Sequence, residues 1–210
     1  MPPSCSEWPD IARLRPAALF GLTLLPSAAE AHAFTAGQGG YALFVEGASL
    51  LFHAPELVVA VLSIGLLIGL WNVEGMPIVW PFLAAGAAVG LFLPFLVLID
   101  ASIALYGLAL CLGALAALDR PYPVATMRFV SALAGLTIAY GALSLHGTAG
   151  LPAMVTFGLF AGLNVAVPMV AGAATLPRRF STAPWPKIGL RILASWLMAI
   201  TIMMLGFAVR

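Results

Sequence analysis

From Tyr41 onward the chain is a succession of apolar stretches, each roughly 20 residues long, parted by short segments that collect its charges, prolines and glycines. A stretch of that length crosses the hydrocarbon core of a bilayer as one helix, and only helices or closed barrels satisfy their backbone polar groups there. Composition points the same way. With 62% of the 210 residues hydrophobic and 8% charged, too little polar surface exists to cover a water-soluble globule. The lipid bilayer is therefore the first expected partner. A formal net charge of +1 speaks against nucleic acid or an acidic surface as another. The expected fold is an all-α integral membrane protein, a six-transmembrane-helix bundle preceded by an N-terminal signal segment.

Residues 1–33 have the order of a secretory signal: Arg13 and Arg15, an apolar run from Ala17 to Leu25, Pro26, then small residues ending Ala29-Glu30-Ala31-His32-Ala33. The run is too short to span alone. It is either cleaved, with His32 as the mature N-terminus if the cut follows Ala31, or retained as a short helix. Residues 34–210 form the membrane domain. Past Gly37, Gly39 and Gly40 a re-entrant or interfacial piece extends to Phe52. The spans are then read over about 55–71, 77–98, 99–118, 124–145, 151–176 and 188–209, bounded by the Asn72–Gly75 turn and by the Asp119-Arg120-Pro121-Tyr122-Pro123 loop. Pro55 suits a helix's first turn, while Pro94 and Pro168 are expected to kink their helices. Gly86 with Gly90, and Gly158 with Gly162, carry the four-residue spacing that lets helices approach closely in lipid. Cys5 and Cys111 give neither a disulfide framework nor a ligand spacing, and Cys111 reads as a small core residue.

Basic residues near helix ends stay cytoplasmic. Arg120 and Arg128 flank one loop, Arg178, Arg179, Lys187 and Arg191 another, and alternation of six spans puts both loops on one side. Arg13 and Arg15 join them. The expected location is a bacterial-type inner (plasma) membrane, multi-pass, with the mature N-terminus outside.

This topology brings four ionisable residues to the outer side: His53 and Glu56 at the start of the first span, Asp100 at the start of the third and His146 at the end of the fourth. Ionisable groups at membrane depth are functional candidates by default. Imidazole nitrogen together with carboxylate oxygen suits divalent first-row metals, and His53 and Glu56, three apart, share a face if one helix runs through both. Each residue also has an ordinary reading. Glu56 and Asp100 favour helix N-termini, His146-Gly147 ends a helix, and the His53 ring can bond to backbone. Tyr106 and Asn164 read as interhelical hydrogen-bond partners. No nucleophile–base arrangement or cofactor motif occurs, so neither an enzyme nor a bound cofactor is expected.

These features resemble the HupE/UreJ family, small membrane proteins associated with hydrogenase and urease maturation and regarded as nickel or cobalt permeases. The resemblance covers most of the mature chain. Ala31-His32-Ala33-Phe34 is similar to the family's mature start; Glu56 stands at the Asp of its Asp-His pair, with Leu57 in place of the histidine; and Leu62-Ser63-Ile64-Gly65-Leu66 resembles the apolar tail of the family's first helix. Ile99-Asp100-Ala101-Ser102-Ile103-Ala104-Leu105 resembles the family's third helix, His146-Gly147-Thr148-Ala149-Gly150 the end of its fourth, and Asn164 stands where a histidine is common. The resemblance implies a permease with nickel or cobalt as cargo and a periplasm-facing metal site of His53, Glu56, Asp100 and His146. The other expectation is a structural or assembly subunit that transports nothing and binds a partner membrane protein or further copies of itself.

Overall fold

The computed structural model describes residues 39–95, 101–146, 151–180 and 185–208. The expected signal segment 1–33, with His32, lies outside them. Among the described residues the protein is all-helical, with seven α-helices: α1 Gly40–His53, α2 Pro55–Trp71, α3 Gly75–Phe92, α4 Ser102–Leu118, α5 Val124–His146, α6 Ala153–Phe180 and α7 Trp185–Ala208. Four of them, α3, α5, α6 and α7, are long and apolar enough to cross a membrane, and α1 with α2, bent by 83° at its break, counts as a fifth if the pair is one span. The expected count of six rests on that pair and on α4, which is apolar but only 17 residues long.

The break between α1 and α2 is written in the chain. Ala54 precedes a proline, whose ring disfavours helical geometry in the residue before it, and it is extended at φ −107° and ψ 123°. Pro55 then opens α2, where a missing N–H costs nothing. The segment before the break, expected to be re-entrant or interfacial, is a regular helix set at a steep angle to the next, a geometry that fits a re-entrant element as well as a broken span.

α2 forms the centre. It is apolar around its whole circumference and buried at almost every position from Glu56 to Leu70, as a helix enclosed by others must be. Around it stand α4, α5, α6 and α7. Two glycine contacts set the closest approaches. A Cβ on Gly86 or Gly90 of α3 would run into the backbone of Ala132 or Leu136 of α5, and one on Gly47 of α1 or Gly158 of α6 into Val155 or Phe44. The spacings noted in the sequence are therefore packing devices. α6 meets α1 at Gly158 and Gly162, and α2 along Val170, Ala171 and Ala174, so the bent pair accompanies α6 over most of its length.

At one end, charged and aromatic side chains tie the helices together. Asp119 takes Lys187 at 2.8 Å and Arg191 at 3.8 Å, and Arg191 Nε also donates to the Ala117 carbonyl at 3.0 Å. Trp71 Nε1 donates to Tyr122 O at 2.8 Å, and the Tyr122 hydroxyl to Leu115 O at 3.0 Å. Arg178 Nη1 reaches the carbonyls of Gly69 and Leu70, at 2.5 and 2.9 Å, and caps the C-terminus of α2. Outward-facing positions are apolar instead: Phe129, Phe157, Met169, Trp196, Met203 and Phe207 are each about two-thirds exposed, as faces presented to a bilayer would be.

Several local expectations need correction. Cys111 is exposed, not a core residue, because Leu112, Gly113 and Ala116 take the inward face of α4. α3 starts at Gly75, and its regular winding stops at Phe92, where a short 3₁₀ turn, Leu93–Phe95, follows and holds Pro94. α4 begins at Ser102. α6 continues past its expected end, through Pro177, to Phe180. That last turn is what aims Arg178 at α2.

Candidate functional site

Glu56 is the second residue of α2. Its position in the first turn suits a carboxylate, yet it is not at a surface: the residue is 9% exposed, because α4 lies across that end of α2. The hydroxyl of Tyr106, one turn into α4, donates to Glu56 Oε2 at 3.3 Å. Tyr106 is itself buried, and the neighbouring Leu105 packs on Gly141 near the end of α5. One carboxylate and one phenol from two helices thus form a polar point inside an apolar bundle. A group of that kind can accept a proton, a cation or a donor hydrogen bond, and burial makes leaving it unmatched costly.

His53 is close in sequence and differently placed. It closes α1 on the other side of Ala54, is exposed, and places Nδ1 2.7 Å from its own helix's Ser49 carbonyl. The shared helical face expected of His53 and Glu56 does not form, because the pre-proline break at Ala54 turns the chain between them. His146 is the last residue of α5. Asp100 lies outside the described residues, as does the His146 side chain. Among the described residues no group of three or more His, Cys, Asp or Glu side chains is gathered as a metal site.

Of the two expected interhelical donors, Tyr106 behaves as read. Asn164 does not: its amide donates to Phe160 O of its own helix at 2.9 Å, while its buried Oδ1 has no partner. Two further polar groups escape a reading of the sequence. The hydroxyls of Ser63 on α2 and Ser131 on α5 are buried without hydrogen-bond partners. Ser63 stands seven residues after Glu56, two helical turns along nearly the same face, so the spacing is visible in the chain. The enclosure of α2 on all sides is not.

Comparison with protein-family models, with curated proteins and with solved structures finds no match to this chain.

Proposed function

We propose that this chain is a permease for a divalent transition metal, nickel or cobalt foremost, of HupE/UreJ type. The observation that carries the reading is the Glu56 carboxylate on the central, enclosed helix, held by Tyr106 from α4. A soluble structural role would not require an acidic side chain there, and in a bilayer such a group is expensive unless it serves binding or transfer. Glu56 supplies negative charge to an entering cation. His53 and His146 supply imidazole and Asp100 a second carboxylate, and the imidazoles favour first-row metals over magnesium and calcium.

In this reading the bent α1–α2 pair is one broken span of the kind transporters place at binding sites. With α3, α4, α5, α6 and α7 it makes six. The end bearing Arg120, Arg178, Arg179, Lys187 and Arg191 faces the cytoplasm of a bacterial-type inner membrane. The mature N-terminus lies outside, behind a signal segment.

A non-transporting assembly subunit is the second reading, and the placement of His53 favours it: the ring is engaged with its own helix on an exposed face, across the break from Glu56. The deciding experiment titrates nickel, cobalt, zinc and copper into the purified protein in detergent, comparing wild type with Glu56→Gln and with His53→Ala/His146→Ala. Uptake of the same ions into proteoliposomes is measured next. Saturable binding and uptake, both lost in the variants, is the expected result. A wild type that neither binds nor transports any of the four ions sinks the permease and leaves the assembly subunit.

A further inference from the structure

Beside the turn joining α2 to α3, at the basic end of the bundle, a cavity of about 480 Å³ opens between that turn and α6. This is within the size range of small-molecule and headgroup sites. One rim carries Glu74 and the other Arg179, while Ile78, Pro168 and Gly172 form an apolar wall between them. Both charged residues are exposed, and although both line the same space, no ion pair joins them. Arg179 makes only a long contact, 3.4 Å, to the Val73 carbonyl. Its neighbour Arg178 is turned the other way and engaged with the end of α2. Next to it, α6 presents an open apolar face of Met169, Ala173 and Leu176, with Met169 and Leu176 exposed, which adjoins the cavity at Gly172, Thr175 and Arg179. Arg179 therefore stands between the cavity and an exposed apolar face of the same helix.

We propose that this end of the bundle holds a phospholipid with a zwitterionic, primary-amine headgroup. The phosphate sits on the Arg179 guanidinium, the ammonium on the Glu74 carboxylate, and the acyl chains run over the exposed apolar face of α6 at Met169 and Leu176. Charge complementarity selects this occupant. A guanidinium is the preferred partner of a phosphate oxygen pair, and basic pockets between spans are established headgroup sites. A singly anionic headgroup such as phosphatidylglycerol would set neutral hydroxyls against Glu74 and leave that carboxylate without a cation. A quaternary amine would meet Glu74 without an N–H to donate. A primary ammonium beside a phosphate satisfies both rims. The site is independent of whether the protein transports anything.

The test uses the full-length protein, purified in detergent and stripped of lipid, then mixed with dioleoyl phosphatidylethanolamine, phosphatidylglycerol or phosphatidylcholine at equal mole fraction. Retained lipid is counted by native mass spectrometry. Wild type is expected to retain the ethanolamine lipid about fivefold over the other two, the scale of one partly exposed ion pair. Glu74→Gln is expected to erase the preference over phosphatidylglycerol while still retaining lipid, and Arg179→Gln to lower retention of all three. Equal retention of the three lipids by wild type, a wild-type preference for phosphatidylglycerol or phosphatidylcholine, or an unchanged preference in both variants would overturn the assignment. The wild-type comparison decides without any variant, and both substitutions fall on exposed side chains, Glu74 making no side-chain bond to the start of α3 and Arg178 keeping its bonds to the end of α2.

Discussion

Gly86→Ala measures how tightly α3 and α5 are held together. A Cβ at this position would lie 2.7 Å from the carbonyl carbon of Ala132 and 2.9 Å from its Cα, where ordinary contact begins at 3.4 Å. The obstacle is helix backbone, which cannot rotate away as a side chain could. To accept one methyl group the two helices must part by more than the ~0.7 Å that would clear the carbonyl carbon, because the Ala132 oxygen lies nearer still, and a gap of about 0.5–1 Å already forfeits roughly a quarter to a half of the dispersion energy of the contacts on either side. Overpacking of this kind costs about 1–3 kcal/mol. Alanine is the better helix former by up to about 1 kcal/mol, so the proper reference is another helical glycine with room to spare. Gly107, on α4, has nothing within 4 Å of the same hypothetical Cβ. The expected outcome is that Gly86→Ala unfolds about 1–3 kcal/mol below Gly107→Ala, or roughly 2–10 °C in a thermal scan monitored by circular dichroism in detergent. Gly135→Ala, the reciprocal change on α5, should behave like Gly86→Ala, since its Cβ would meet Leu83 O and, at 3.0 Å, Ala87 N. Equal midpoints for Gly86→Ala and Gly107→Ala would refute the close approach and the packing argument with it.

Three further perturbations each test a small set of contacts. A double-mutant cycle of Tyr106→Phe with Glu56→Leu should give a coupling of about 0.6–1.7 kcal/mol in detergent unfolding, the range for hydrogen bonds between spans; no measurable coupling would mean the 3.3 Å contact is not a bond in the folded protein. Arg178→Met removes two charge-assisted bonds from the end of α2 and should cost about 1.5–3 kcal/mol, whereas Arg179→Met should stay within about 0.5 kcal/mol; matching losses for the two arginines would contradict the assignment of Arg178 as the cap. Asp119 ends α4 at φ 49°, a left-handed conformation that asparagine and glycine accept more readily than alanine. Asp119→Ala should therefore fall about 1 kcal/mol below Asp119→Asn in the same assay. Asp119→Asn should itself lose at most about 1 kcal/mol, and less at high salt, because its partner Lys187 is half exposed.

The helices are legible in the sequence because their signals are local. Apolar length marks the spans, Pro55, Pro121 and Pro123 mark boundaries, and the glycine pairs mark faces of close approach, since each depends on a few adjacent residues. The departures are also local in origin. Pro94 marks a disturbance of its apolar run, but the tightening to a 3₁₀ turn over Leu93–Phe95 is not encoded in the proline alone. Cys111 reads as a core residue because α4 is apolar all round, with no polar stripe to reveal which side faces outward. The same ambiguity hides Ser63, a small polar residue whose burial depends on helices far away in sequence.

By itself, then, the sequence determined that this chain is a set of membrane-suited helices with six of its nine basic residues gathered at two loops: in lipid every backbone polar group must be satisfied within its own helix, so local pattern suffices to specify the elements. Only the tertiary structure decided that α2 is the enclosed centre, that Glu56 is buried against Tyr106 while His53 stays outside, and that Arg178 and Arg179 point to different tasks. Those outcomes depend on which faces of uniformly apolar helices meet. In a bilayer that choice is made by close packing and a few polar contacts between distant residues, not by a contrast between oily and wet faces that a sequence could display.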